Sequence, residues 1–406
     1  MPSFCGNVPL VLSRSPVSSF WQLFSLESLL SDKSVKEISL TTQDTVPSFT
    51  SFQLPDCLNK AIKDMGFETP TPIQLAAIPM GLTKRDVIGC AQTGTGKTAA
   101  FLIPLLFHIL KNHRKGALVV VPTRELASQV ADVLKKLIKY APQIKSAVVI
   151  GGVPMPGQIK LLARSPQIII ATPGRLVDHL RRGTVSLRAT EFLVLDEADR
   201  ILDMGFAPQL NELMRFVPGA RQTFLFSATM APAIEKLAHK YMKGPIRIDI
   251  GQEEPVEAIE QHAIHVTSAN KKEKLKEELK SRAGTVLVFA RTKSRADSVC
   301  KFLVNSGHSA GRIHGGRTQG QRAKTLEGFK TGEFQILVAT DLVSRGIDVA
   351  NIAHVINFDL PRCPEDYIHR IGRTARAGAR GKALSLIAPE EKGFWKQISH
   401  FVNAKP

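Results

Sequence analysis

Cysteine is scarce in this 406-residue sequence: Cys5, Cys57, Cys90, Cys300 and Cys363 are the only five, with no C-x-x-C pair among them. An odd number at wide spacing argues against a disulfide framework or a thiolate zinc site and fits a reducing compartment. Long apolar runs are missing too, and none approaches the 18 residues that a membrane-spanning helix needs. Acidic side chains are few beside basic ones, 36 against 54, for a formal charge of +18. That balance points to a polyanionic partner. The excess is no detachable tail, because residues 1–50 hold three basic and four acidic groups and the remainder carries the surplus in both halves. No basic amphipathic helix stands out, so a membrane surface fits less well.

The first 25 residues hold one charge, Arg14, and six serines. Pro9 leaves too short an apolar core for a secretory signal, and an organellar presequence should carry more arginine. Residues 1–48 therefore read as a disordered or weakly docked extension, and the protein as cytoplasmic, with organellar import the alternative.

A 44.4 kDa chain is too long for one comfortable core and suggests two domains. Residues 55–66 read as a short helix and 69–72 as a proline-punctuated loop. Candidate strands follow at 85–90, 116–121, 146–150, 167–171, 191–196, 222–227 and 246–250. Candidate helices lie between them at 97–112, 124–139, 175–182, 207–215 and 231–242. Runs such as Ala117-Leu118-Val119-Val120-Val121 are apolar on both faces, as in a parallel sheet covered by helices on each side. Residues 251–258 look like an acidic linker. Beyond it the rhythm restarts, with strands near 285–290, 309–313, 335–339, 354–358 and 382–387. The units are thus 49–250 and 259–389, with a terminal helix and tail at 390–406.

Ala91-Gln92-Thr93-Gly94-Thr95-Gly96-Lys97-Thr98 joins an apolar strand to an apolar helix with the spacing of a phosphate loop, Ala91 replacing the first glycine. Such a loop wraps backbone N–H groups round phosphates, adds the helix dipole and the Lys97 charge, and offers the Thr98 hydroxyl to Mg²⁺. A ligand-free glycine turn would not explain Lys97-Thr98. Phe192-Leu193-Val194-Leu195 delivers Asp196 to hold the metal and Glu197 to orient and deprotonate a water. These residues alone indicate a basic nucleoside triphosphatase.

The string Asp196-Glu197-Ala198-Asp199 takes the reading further, because it resembles the signature of the DEAD-box RNA helicases. The family's ordered motifs are matched from about residue 49 to 389. The resemblance implies two tandem RecA-like α/β domains with parallel sheets and helices on both faces, ATP and Mg²⁺ as cofactors, and RNA-stimulated hydrolysis. Phe67, Gln74 and the upstream Phe49 match its adenine-sensing segment. Thr93, Gly94, Thr95, Gly96, Lys97 and Thr98 correspond to its phosphate cradle, and Asp348 to its ribose contact. Arg373 corresponds to an arginine finger and Arg370 to a second γ-phosphate ligand. Asp199, Ser227, Thr229 and His369 correspond to a hydroxyl-mediated link between the domains. For the RNA backbone the matching residues are Arg124, Gly152, Thr172 and Arg175 in the first unit and Arg291, Thr292, Gln319, Arg322 and Thr340 in the second.

Three departures stand out: Gly316 where the family usually has aspartate, Ser344 for alanine and Ala375 for glycine. The first removes a carboxylate beside an RNA-facing helix, so restoring aspartate should strengthen RNA-stimulated ATPase. The implied function is local unwinding of short duplexes by ATP-driven closure, by a monomer gripping sugar and phosphate. Ribonucleoprotein or ribosomal-precursor partners are expected. A translocating DNA helicase and an ATP-dependent RNA clamp remain alternatives. No arginine/glycine-rich tail is seen to select an RNA, which leaves targeting to a partner, the core surface or the N-terminus.

Overall fold

A computed structural model describes residues 10–11, 48–91, 94–250, 259–341, 352–374 and 381–403. Thr93, Ser344, Asp348, Ala375, the 251–258 linker, most of the N-terminal extension and the last three residues lie outside them.

The first sheet contains β1 (Leu10–Val11), β2 (Val87–Cys90), β3 (Gly116–Val120), β4 (Ser146–Val149), β5 (Ile168–Ala171), β6 (Thr190–Leu195), β7 (Gln222–Ser227) and β8 (Ile246–Asp249). Their spatial order is β1-β8-β2-β7-β6-β3-β5-β4, and every pairing is parallel. The extension thus supplies one short strand, with Leu10 opposite Ile248 and Val11 opposite Asp249.

Two apolar layers explain why β3 and β5 carry no polar side chain. On one face α1 (Asp56–Asp64), α2 (Pro72–Leu82), α3 (Lys97–Lys111) and α4 (Arg124–Leu137) pack Leu58, Ile78, Phe101 and Leu134 onto Val119, Ile170 and Phe224. On the other, α6 (Pro173–Arg181), α7 (Ala198–Asp203), α8 (Ala207–Leu213) and α9 (Pro232–Tyr241) cover Leu118, Leu193 and Leu225, and α5 (Met155–Leu162) adds Leu162. Burying each such side chain contributes about 1.5–3 kcal/mol.

The second sheet contains β9 (Ile259–His265), β10 (Val286–Phe289), β11 (Ala310–Ile313), β12 (Ile336–Ala339), β13 (His354–Asn357) and β14 (Gly381–Ile387), ordered β11-β12-β10-β13-β14-β9 and again parallel. Leu275 of α10 (Lys271–Lys280) and Val299 of α11 (Lys293–Asn305) cover one face. On the other lie Phe329 of α12 (Gln319–Lys330), Tyr367 of α13 (Pro364–Ile371) and Ile398 of α14 (Lys392–Asn403). The chain therefore consists of two helix-flanked parallel-sheet units of the RecA type in tandem.

Besides β1, four elements escape the sequence pattern. The proline loop at 69–72 ends by opening α2, because Pro72 tolerates the first helical position and Thr71 with Gln74 forms a capping box. Helix α5 has prolines on either side of its first residue, Pro154 and Pro156, and α7 is only six residues long. Strand β9 is a mostly polar edge strand, so it lacks an apolar run.

Candidate nucleotide and RNA site

Parallel topology brings the carboxyl ends of β2, β6 and β7 side by side, and that rim is where α/β sheets collect ligands. Between β2 and α3 the loop turns on Gly94 (φ 94°) and Gly96 (φ 91°), left-handed positions that favour glycine. A Cβ on Gly96 would also stand 2.5 Å from Gln74 Nε2. Lys97 is 7% exposed, and its ammonium donates to the Ala91 carbonyl at 2.8 Å. Thr98 follows in the first turn of α3, whose unpaired N–H groups form an anion cradle with the loop.

Gln74 is wired to this loop. Its Oε1 accepts from the Thr71 N–H at 2.9 Å, its Nε2 donates to the Gly96 carbonyl at 3.1 Å, and the Thr71 hydroxyl donates to the Thr95 carbonyl at 2.7 Å. One amide hydrogen and one lone pair remain, the pair that an adenine edge can use. Phe67 is half-buried and stacks on Phe49, with centroids 6.1 Å apart. The expectation for Phe49 is corrected here: it is buried in the first core, so it backs Phe67 and does not present a ring to a base.

Asp196 and Glu197 close β6. Asp196 is enclosed, and one oxygen accepts the Glu197 N–H at 3.0 Å. Burial pushes its carboxyl up to about 6, against the pull of Lys97 and with a further push from Glu197. A desolvated carboxylate beside a hydroxyl-bearing phosphate loop suits a hard cation, so Asp196 and Thr98 fit Mg²⁺. Glu197 takes a left-handed φ of 51° and receives Arg200 Nη1 at 2.9 Å. Arg200 was not singled out from sequence; the signal was its position one turn after Glu197 on a helix.

The coupling segment differs from expectation. Asp199 accepts the Ala228 N–H at 3.0 Å and the Arg200 N–H at 2.9 Å, while the Ser227 hydroxyl donates to the Thr229 carbonyl at 2.7 Å. The link from Asp199 to this segment runs through backbone N–H, and the Ser227 hydroxyl shapes the turn. His369 is half-buried on α13.

Arg370 is likewise corrected. Its guanidinium is fully buried in the second unit, bidentate to Asp341 at 2.6 and 2.7 Å, bonded to Asn357 Oδ1 and the Asp359 carbonyl, and stacked over Phe289. Four of its five N–H donors are taken within the unit and the guanidinium is 1% exposed, so it is an internal strut. Arg373, one turn on, donates through Nε to the His369 carbonyl at 3.2 Å.

The first unit's RNA candidates surround one loop. Arg124 packs on Gly151 and Gly152, where a Cβ would fall 1.7 Å from Arg124 Nη1, and Arg175 Nη1 donates to the Val153 carbonyl at 2.8 Å. Thr172 caps α6 at the same rim. In the second unit Thr292 caps α11, Gln319 opens α12, and the Thr340 N–H bonds the Ile313 carbonyl. Arg291 is held by Glu391 at 2.6 Å. Arg322 is corrected as an RNA ligand: its guanidinium forms a buried ion pair with Glu125 of α4, across the cleft. Glu125, a buried acid in a first turn, is the partner that the sequence did not flag.

A phosphate cradle and acidic strand end on one sheet, facing a second sheet through a buried ion pair, define a two-domain nucleotide-driven motor. Residues 71–237 match the DEAD/DEAH box helicase model and residues 270–378 the helicase conserved C-terminal domain model. The chain is 44% identical over 353 residues to the ATP-dependent RNA helicase CshA of Listeria monocytogenes, covering 86% of this chain and 68% of that one. It superposes on S. cerevisiae Dbp5 bound to RNA and ADP BeF3 with a TM-score of 0.79 at 30% identity, over 88% and 94% of the two chains. Against a DEAD box protein from Methanococcus jannaschii the TM-score is 0.51 at 40% identity, over 88% and 98%. The chain belongs to the DEAD-box family of ATP-dependent RNA helicases.

Proposed function

We propose that ATP lies with its adenine on Phe67 and Gln74 and its phosphates over residues 94–98, and that closure of the second unit completes the hydrolytic site. Lys97 leaves the Ala91 carbonyl for the phosphates, and Glu197 orients and deprotonates the water, its carboxylate aligned by Arg200. Bound Mg²⁺, held by Asp196 and Thr98, would neutralise phosphate charge. Arg373 enters from the second unit, which makes hydrolysis conditional on closure. Asp348 serves the ribose, and Thr93 completes the cradle. Arg124, Gly152, Thr172, Arg175, Arg291, Thr292, Gln319 and Thr340 hold sugar and phosphate, which gives little base selectivity. Asp199 and His369 report the state of one unit to the other.

The single observation that carries this reading is the Glu125–Arg322 pair, which joins two helices from opposite sides of the cleft. Better agreement with an RNA- and nucleotide-bound relative than with a more identical one supports the same arrangement. The protein acts as a local unwinder of short duplexes in the cytoplasm, on ribonucleoprotein or ribosomal-precursor RNA. The test is turnover of a short duplex and ATPase stimulated by RNA or by DNA of the same sequence. RNA-selective stimulation with unwinding supports the proposal; stimulation without strand release would assign an RNA clamp.

A further inference from the structure

A cavity of about 840 Å³ lies between the units, where the α7 end of the first meets the rim of the second at Arg291, Thr292 and Thr340. Its cations are Arg200, Arg291 and Lys293. Arg200 pairs with Glu197 and Arg291 with Glu391. Lys293 forms no ion pair among the described residues. The carboxylate one turn along its helix, Asp297, is taken by Arg312 at 2.6 Å and by His314 at 3.0 Å. The cavity's own carboxylates are also engaged: Asp341 holds Arg370, and Asp203 and Asp366 have partners.

Gly316 explains why Lys293 is spared. A Cβ built there would stand 3.4 Å from Lys293 Cδ and 3.1 Å from His314 Nδ1, so a carboxylate on it would lie beside the lysine stem. Gly316 and Lys293 are both exposed, and the Gly316 N–H is already bonded to His314 Nδ1 at 3.2 Å. We infer that the missing side chain at Gly316 makes Lys293 a phosphate contact of the cleft, adding one backbone phosphate to the RNA site. An exposed ammonium on the same rim as Arg291 and Thr292 recognises phosphate as a point charge and carries no base preference. This reverses the sign expected from sequence: an aspartate at 316 neutralises Lys293 and weakens the RNA contact.

The inference rests on the RNA reading of the cleft, and the experiment separates the two. Full-length protein with a non-hydrolysable ATP analogue is titrated with a fluorescent single-stranded RNA at several salt concentrations. Lys293→Gln is expected to weaken binding about five-fold and to flatten the log–log salt slope by about 0.7, the share of one single-strand phosphate. Lys293→Arg restores both, Gly316→Asp reproduces the loss, and the double variant is no weaker than Lys293→Gln alone. Thermal unfolding midpoints identify any variant that has lost its fold. Unchanged affinity and slope in Lys293→Gln overturn the inference, as does equal or tighter binding by folded Gly316→Asp. If the parent chain itself fails to bind RNA, the proposed function falls and takes this contact with it.

Discussion

Glu125 and Arg322 meet across the cleft between the two units, each less than a tenth exposed, in an ion pair that neither unit can make alone. Removing one member of a buried pair leaves an uncompensated charge, at a cost of about 3–5 kcal/mol. Glu125→Gln or Arg322→Gln is therefore expected to lower RNA-stimulated ATPase at limiting RNA by about a hundred-fold or more. The double variant should recover part of the loss. Steady-state ATPase against RNA concentration for the four proteins of the cycle measures the coupling.

Asp196 gives a pH signature. Its carboxyl rises from the ordinary 3.8 to about 6 on folding, because burial penalises the charged form. A raised carboxylate favours folding in its protonated form, so the stability is present below pH 3.8 and lost as pH rises toward 6. The difference corresponds to about 3 kcal/mol. In metal-free protein, Asp196→Asn should be more stable than the parent above pH 6, with the gain fading below pH 4. Added Mg²⁺ should stabilise the parent and not the variant. Thermal unfolding across pH, with and without Mg²⁺, checks both.

Gly152→Ala tests the first unit's RNA rim. The added Cβ collides with the Arg124 guanidinium at a backbone φ of 72°. RNA affinity should drop about ten-fold or more, on the order of 1.4 kcal/mol. Nucleotide affinity should stay within about two-fold. Equilibrium binding of a fluorescent ATP analogue and of RNA to the same preparation decides it.

Gln74→Ala removes the α2 capping box and the tie to Gly96 together. Stability is expected to fall by about 1–2 kcal/mol. Preference for ATP over GTP in the hydrolysis rate should narrow at the same time, because the remaining amide hydrogen and lone pair are lost. Competition kinetics with the two nucleotides read the second effect independently of the first.

Much of this was legible because phosphate chemistry forces a local string: a loop that bends round an anion needs Gly94 and Gly96, and charge needs Lys97. The strands were readable because a buried parallel sheet leaves few places for polar residues. Arg370 and Arg322 were misread for the opposite reason. An arginine on a helix looks the same whether it meets phosphate, Asp341 or Glu125, and only the assembled cores decide which. Strand β9 and helix α7 were missed because an edge strand need not be apolar and a six-residue helix shows less than two periods.

Arg370 also says something about timing. By holding Asp341, Asn357 and the Asp359 backbone under one guanidinium, it locks the ends of β12 and β13 into one piece, with Phe289 of β10 beneath. Those strand ends are ordered when the unit folds, once in the life of the molecule. The rim that the second unit turns toward the first therefore takes its shape from that unit's own core, independently of what binds in the cleft.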